Sequence, residues 1–175
     1  SVCRLVTNKR VDLLVKAFNH LNLPLIIVGD GPEKEKLKKI ANKNVKIIGF
    51  QNEKKIIELM ETCKTFVYAG IEDFGISIVE ALAAGSPVIA YGKAGILDTV
   101  NCLNINKKSA NGILFKSQTY ESIKDCINWY EDNKIWKNFS SEMIRKSSLK
   151  FSCINFKNNF NNYLIKCINE SKFIN

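Results

Sequence analysis

Two glutamates separated by seven residues are the strongest chemical signal in this chain. Glu72 follows an apolar, strand-like segment, and Glu80 lies within a nearly all-apolar helical segment. At 100° per residue the apolar side chains cover most of that helix, while Ser77, Glu80 and Ala84 fall in one narrow sector. We therefore expect the helix to be buried. A buried carboxylate costs several kcal/mol unless it is paired, so Glu80 needs a partner.

A ligand is one candidate for that partner. Gly75 precedes the helix and would let a phosphate approach the first-turn amides, where the helix dipole favours negative charge. A carboxylate one turn further, at Glu80, suits a ribose diol. Glu72 follows a strand, at the edge where α/β sheets hold substrates. The alternative is a structural salt bridge with Arg or Lys, and the spacing alone does not separate the two.

Composition restricts the class of protein. A chain of 175 residues that is 46% hydrophobic is long enough for one well-cored domain. No segment has the pattern of a signal peptide, and no apolar run is long enough to span a bilayer. The six cysteines include no Cys-x-x-Cys pair, and there is a single histidine. We therefore expect reduced thiols and no bound metal.

The net charge of +9 favours partners that carry negative charge. Such partners include polyanions, an anionic membrane face and phosphorylated substrates. The lysines are scattered, however, which is also typical of solvated helix faces. They are not interleaved with aromatic residues, and this argues against a nucleic-acid partner.

Apolar segments alternate with helical patterns through most of the chain. The predicted strands cover residues 2–6, 25–28, 45–48, 65–69, 87–91 and 112–115. The predicted helices cover residues 9–21, 33–41, 53–62, 75–84, 96–100, 120–131, 133–149 and 153–170. Alternation of this kind predicts an α/β fold with a doubly wound, Rossmann-like parallel sheet, followed by C-terminal helices.

Several strand ends carry further candidate residues. Arg4 and Lys9 lie at the first strand-to-helix crossover, where an Arg fork and a Lys point charge would suit phosphate oxygens. The turn at residues 29–32 lacks Gly-x-Gly-x-x-Gly, so a dehydrogenase is not favoured. Gly49 and Phe50 end the third strand, where they would either contact a base or form a turn with a packed aromatic ring. The Gly-rich loop at residues 92–95 is likewise either functional or only a turn.

The motifs taken together resemble a known family over essentially the whole chain. The matching segments are residues 3–6 (CRLV), 9–14 (KRVDLL), 28–32 (VGDGP), 72–76 (EDFGI), 80–81 (EA) and 85–92 (GSPVIAYG). They resemble the C-terminal half of family 4 (group 1) GT-B glycosyltransferases. The stretch from residue 71 to residue 92 is especially similar to bacterial mannosyltransferases of O-antigen and exopolysaccharide assembly.

The resemblance implies a role for each candidate residue. Arg4 and Lys9 would bind the diphosphate of a nucleotide-sugar donor, and Glu72 would bind sugar hydroxyls; these three form the implied catalytic set. Glu80 would bind the ribose diol. Further donor contacts would come from Gly49 and Phe50 near the base and from the backbone of Phe74, Gly75 and Ile76. Members of this family retain anomeric configuration and generally need no metal or other cofactor, because cations and a helix dipole take its place.

The resemblance also implies that residues 1–175 are a nucleotide-sugar-binding domain without its N-terminal acceptor domain. The expected function is transfer of a hexose, mannose in the first instance, to a lipid-linked or polysaccharide glycan, with the isolated chain inactive. The expected location is the cytoplasm, with peripheral contact at the inner face of the cell membrane. Two alternatives remain open: another GT-B chemistry such as nucleotide-sugar epimerisation, and a non-catalytic nucleotide- or polyanion-binding module.

Overall fold

Strands and helices alternate between residues 11 and 132 in the computed structural model, which describes residues 1–103 and 109–171. The strands are β1 (Leu25–Ile27), β2 (Val45–Ile47), β3 (Phe66–Tyr68), β4 (Val88–Tyr91) and β5 (Gly112–Phe115). The helices are α1 (Val11–Leu21), α2 (Lys34–Ile40), α3 (Glu53–Thr62), α4 (Ile76–Ala83), α5 (Ile96–Thr99), α6 (Tyr120–Asp132), α7 (Ser141–Ser148) and α8 (Cys153–Ser171). Short 3-10 helices cover Thr7–Lys9, Ile135–Asn138 and Leu149–Phe151.

The strands pair in parallel throughout the described residues. β1 pairs with β2, and β4 lies between β3 and β5. Parallel neighbours need crossover connections, and the intervening helices supply them. The predicted α/β class with parallel strands is therefore confirmed, with the strands divided between a two-stranded sheet (β1 and β2) and a three-stranded sheet (β3, β4 and β5).

The N-terminal segment differs from the strand predicted for residues 2–6. Val2 forms a single parallel bridge with Val28, and the Cys3 and Leu5 N–H groups donate to the carbonyls of Val28 and Asp30 at 3.1 and 2.8 Å. The segment is therefore extended beside β1. It does not continue as a regular strand because the Val6 N–H turns back to the Arg4 carbonyl at 3.0 Å.

Helices cover both faces of the strands. Successive strand residues point to opposite faces, and in β4 Ile89 packs in one apolar cluster while Val88 and Ala90 pack in the other. The first cluster contains residues of α1 and α6, and the second contains Ile78 and Leu82 of α4 together with Ile144 of α7. This is the doubly wound arrangement that the sequence predicts.

The C-terminal region departs from one predicted helix. The helix predicted for residues 133–149 is divided into the 3-10 helix Ile135–Asn138 and α7. The break occurs because the Ser140 hydroxyl caps α7 by accepting from the Met143 N–H at 3.4 Å, which starts a new helix. Large apolar side chains of α8 are exposed, with Phe156 66% and Tyr163 67% exposed. None of the helices in the described residues is long and apolar enough to cross a membrane.

Candidate functional site

A cleft of about 640 Å³ opens where β1 and β3 end. The carboxyl edge of a parallel sheet is where such folds bind ligands. Eight of the predicted site residues line it: Arg4, Lys9, Phe50, Glu72, Phe74, Gly75, Ile76 and Glu80. The ninth, Gly49, lies just behind this lining, where its carbonyl accepts from the Gly29 N–H at 2.9 Å. The fold thus gathers side chains from four crossovers into one surface.

Glu72 and Lys9 form an ion pair in this cleft. Lys9 Nζ lies 2.5 Å from Glu72 Oε1, and the two side chains are 22% and 19% exposed. The pair forms because the 3-10 helix Thr7–Lys9 packs closely on the end of β3, where a Cβ on Gly70 would lie 3.1 Å from the Lys9 Cα. The structural salt bridge considered for the two glutamates therefore occurs at Glu72.

Tyr68 is a site residue that the sequence did not indicate. It is the last residue of β3, and its hydroxyl donates to the same Glu72 oxygen that accepts from Lys9. Burial, followed by this hydrogen bond, raises the pKa of the Tyr68 phenol, so it stays a neutral donor. The only available signal was a tyrosine at a strand's carboxyl end, four residues before the glutamate.

Cys3 lies beside this group in the cleft. Burial raises the pKa of its thiol to about 11, although the charge of Lys9 acts in the opposite direction. The thiol is therefore protonated at neutral pH and adds no negative charge to a surface that presents Arg4 and Lys9. Thiolate, not thiol, is the reactive form, so Cys3 acts as a packing residue here.

The N-terminus of α4 faces the cleft. Gly75 adopts the left-handed conformation, with φ of 83°, immediately before the helix. Its carbonyl accepts from the N–H groups of Ile78 and Val79. The first amides of a helix have no partner within it, and those of Ile76 and Ser77 belong to residues that line the cleft. This end of α4 therefore offers N–H groups and a favourable dipole to an anion.

Glu80 is exposed, which corrects the expectation that its helix is buried throughout. Only one side of α4 is buried, through Ile78, Ala81 and Leu82, whereas Ile76 is 69% exposed. Glu80 lies on the side that lines the cleft. Partial desolvation, and then the nearby Glu53 carboxylate, raise the Glu80 pKa. In the described part of the chain no ion pair includes Glu80, so its carboxylate is available to a ligand.

The loop between Glu72 and Gly75 is supported from behind. The Gly95 N–H donates to the Glu72 carbonyl at 2.9 Å, and a Cβ on Gly95 would lie 1.8 Å from the Asp73 carbonyl oxygen. The Phe74 ring meets Phe151 edge to face at a centroid distance of 5.3 Å. The end of the Gly-rich loop at residues 92–95 therefore packs against the site loop and supports it, and a direct contact of this loop with a ligand remains a prediction.

The turns after β1 and β2 form the opposite side of the cleft. Asp30 accepts from the Gly31 N–H at 2.8 Å and from Lys34 Nζ at 2.6 Å, and this lysine contact is the main cause of the lowered Asp30 pKa. Phe50 is 80% exposed at the rim. An exposed aromatic ring beside backbone groups is a surface on which a planar ring could stack.

Metal-ligating side chains are not clustered in the described part of the chain. Within residues 1–103 and 109–171, no group of three or more His, Cys, Asp or Glu side chains is arranged to hold a metal ion. Independence from metal remains a prediction for solution experiments. The positive groups at hand are Arg4, Lys9 and the amides of α4.

These features define an α/β domain with a cleft at the carboxyl ends of parallel strands, where Arg4, Lys9 and the first amides of α4 lie among four carboxylates. The model of the glycosyl transferases group 1 family matches residues 1–149, and the chain belongs to this family.

The chain is similar to an uncharacterized glycosyltransferase of Methanocaldococcus jannaschii, at 26% identity over 152 residues, covering 84% of this chain and 42% of the relative. It is also 28% identical over 134 residues to the GDP-mannose-dependent alpha-mannosyltransferase of Corynebacterium glutamicum, covering 75% of this chain and 31% of that protein. The chain therefore spans less than half the length of these curated relatives.

Among solved structures, the Anabaena protein HepE in complex with UDP-glucose is similar to this chain. The TM-score is 0.77 at 22% identity, covering 94% of this chain and 48% of that chain. At this level of identity the match concerns the fold, and it supports the GT-B class that the sequence resemblance implied.

Proposed function

We propose that this chain is the donor-binding domain of a retaining glycosyltransferase that moves a hexose from a nucleotide-diphosphate sugar to a glycan acceptor. The observation that carries the proposal is the convergence of Arg4, Lys9, Glu72 and the N-terminus of α4 on one cleft. Family membership and the structural match to a protein bound to UDP-glucose support it.

The diphosphate is assigned to the positive side of the cleft. Arg4 can present a planar fork and Lys9 a point charge, while the amides of Ile76 and Ser77 add dipoles. When the bond to the sugar breaks, negative charge grows on the departing nucleoside diphosphate. Cations and dipoles already placed around that charge lower the barrier without a metal ion. Arg4 and Lys9 are therefore proposed as catalytic residues.

The sugar and ribose are assigned to the two glutamates. Glu72, held by Lys9, is proposed to accept hydrogen bonds from sugar hydroxyls, next to backbone groups of Phe74 and Gly75. Glu80 has no ionic partner in the described residues and lies one turn into α4, so it is proposed to accept from the ribose diol. The base then extends toward Gly49 and Phe50.

The sugar is proposed to be mannose, with glucose as the second candidate. The supporting relative is named as GDP-mannose-dependent, whereas the Anabaena structure contains UDP-glucose. The acceptor is proposed to be a lipid-linked or polysaccharide glycan that binds a second, N-terminal domain. The coverage of only 42% and 31% of two relatives supports a second domain, and its N-terminal position and acceptor role are what the family resemblance implies.

The cellular place is proposed as the cytoplasm, at the inner face of the cell membrane. The net charge of +9 would draw the domain to an anionic lipid surface, and a lipid-linked acceptor would be presented there. Such contact is peripheral and sensitive to salt.

The direct test is calorimetric titration of the chain with UDP, GDP and ADP, and then with the matching nucleotide sugars. We expect binding of one nucleoside diphosphate, weaker at high salt because the contacts are ionic, and unchanged by EDTA. We expect no sugar transfer by this chain alone, since proximity and water exclusion need an acceptor domain. No binding at millimolar nucleotide would reject the donor-domain proposal, and transfer by the isolated chain would reject the need for a second domain.

A further inference from the structure

Tyr68 lies beneath the cleft, at the end of β3, and shares an acceptor with Lys9. Both the Tyr68 hydroxyl and Lys9 Nζ donate to Glu72 Oε1. The Tyr68 residue is 2% exposed, and its ring lies nearly parallel to that of Phe66, at an interplanar angle of 9°. The phenol therefore reaches Glu72 from the packed core, whereas Lys9 reaches it from the crossover after the N-terminal segment.

We propose that Tyr68 is a positioning residue for the Glu72 carboxylate. Two donors on Oε1 hold the carboxylate in one orientation, so that Oε2 is left to accept from a sugar hydroxyl. This inference rests on the proposed function, because Glu72 has a sugar to bind only if the cleft binds a nucleotide sugar.

The two donors are not equivalent. Lys9 is cationic and flexible, and an arriving diphosphate competes with Glu72 for its charge. Tyr68 has a rigid side chain that is fixed by packing, and the raised pKa of its phenol keeps it a neutral donor. Tyr68 can therefore keep Glu72 in place after Lys9 has turned toward the phosphates.

The test uses Tyr68→Phe, which keeps the ring and removes only the hydroxyl. The quantity to measure is the sugar increment, defined as the ratio of the Kd of a nucleoside diphosphate to that of its nucleotide sugar. Lys9 remains as the second donor to Glu72, so loss of the Tyr68 hydroxyl should reduce this increment about three- to tenfold, the range of one ordinary hydrogen bond. The Kd of the nucleoside diphosphate itself should change less than about twofold, since the Tyr68 residue is only 2% exposed and its hydroxyl is already bonded to Glu72.

Tyr130→Phe is the matched control. Tyr130 is also a buried tyrosine, and its hydroxyl donates to the Lys64 carbonyl at 3.0 Å. Neither residue lines the cleft. Its removal should lower stability by a similar amount and leave the sugar increment unchanged. Equal loss of sugar increment in both variants would show a general packing effect and overturn the proposal.

A double-mutant cycle separates positioning from direct contact. Tyr68→Phe should have no further effect on the sugar increment in a Glu72→Ala background, because it acts only through that carboxylate. A further loss in that background would overturn the proposal. So would a loss of nucleoside diphosphate affinity that equals the loss of nucleotide-sugar affinity.

A ligand-free measurement separates this inference from the proposed function. A hydroxyl proton of Tyr68 bonded to a carboxylate should give a slowly exchanging, downfield NMR signal that disappears in Glu72→Ala and in Tyr68→Phe. If the chain binds no nucleotide, the proposed function fails. The NMR signal would still show whether the Tyr68 hydroxyl is bonded to Glu72. A signal unchanged by Glu72→Ala would show that Tyr68 does not hold Glu72.

Discussion

Lys9 and Glu72 are 63 positions apart in the chain, and Lys9 Nζ lies 2.5 Å from Glu72 Oε1. The contact joins the first crossover to the loop after β3 and places a cation beside the N-terminus of α4. In a partly exposed site such a pair is not primarily a source of stability. Its consequence is geometric, because it fixes the Lys9 ammonium and the Glu72 carboxylate, the two groups proposed to bind phosphate and sugar.

The ion pair predicts a large effect of Lys9→Ala on donor binding. A charge-assisted contact to phosphate contributes about 1.5–3 kcal/mol, so the Kd for a nucleoside diphosphate should rise about tenfold or more. The salt dependence of binding should also weaken, because one cation has been removed. Lys36→Ala is the control, since Lys36 is ion-paired with Glu33 outside the cleft. Equal effects of the two variants, measured by calorimetry at low and high salt, would point to overall charge instead of this contact.

The ribose assignment predicts that Glu80→Ala weakens nucleoside diphosphate binding by about tenfold or more, through loss of a charged acceptor. The matched measurement uses the 2′,3′-dideoxy nucleotide, which has no diol to donate. For this ligand the wild-type chain and Glu80→Ala should bind with the same affinity. A loss that is equally large for the dideoxy nucleotide would remove the ribose from the assignment.

The raised pKa of Glu80 predicts a pH-dependent effect on folding. The folded state holds the Glu80 proton more tightly than the unfolded state, so the free energy of unfolding falls as pH rises above the ordinary value of 4.5. The Glu80→Gln variant has no carboxylate to ionise at this position, so this decrease in the free energy of unfolding does not occur in it. The variant should therefore be more stable than wild type at neutral pH, by less than about 1 kcal/mol for so exposed a side chain. Urea unfolding at neutral pH and below pH 4.5 measures the difference, which should vanish at the acidic pH.

The control for this pH effect is Glu53→Gln, which removes the neighbouring charge that also raises the Glu80 pKa. In that background the advantage of Glu80→Gln at neutral pH should shrink. An advantage that persists below pH 4.5 would have a cause other than the ionisation of Glu80.

The support behind the site loop predicts opposite effects at two adjacent residues. A Cβ at Gly95 would meet the Asp73 carbonyl oxygen at 1.8 Å, so Gly95→Ala should destabilise the fold by about 1–3 kcal/mol and displace the loop that carries Glu72. Ala94 has φ of 53°, where an alanine is strained, so Ala94→Gly should stabilise by up to about 1 kcal/mol. Thermal unfolding and nucleotide-sugar titration of both variants measure these effects. Similar behaviour of the two would contradict the close approach at Gly95.

Much of the fold could be predicted from the chain itself, because alternation of apolar strands and amphipathic helices is a local pattern. The predicted helix at residues 53–62 and strand at residues 112–115 have the same bounds in the structure. Gly75 before α4, with Glu72 and Glu80 on either side, was also visible as spacing. By contrast, the break at Ser140 was missed, since a cap is one hydroxyl bond and leaves little trace in periodicity.

Only the tertiary structure shows that Glu72 is ion-paired with Lys9 and that Glu80 faces the cleft. The sequence predicted that the Glu80 carboxylate requires a partner, and it was compatible with a salt bridge at Glu72 or at Glu80. Packing of the first crossover on β3 brings Lys9 to Glu72, and Tyr68 reaches the same carboxylate from the end of β3. Glu80 lies on the side of α4 that lines the cleft. Periodicity in the sequence indicates which side of a helix is apolar. An ion pair between residues 63 positions apart depends instead on how separate elements pack against each other, which periodicity does not indicate.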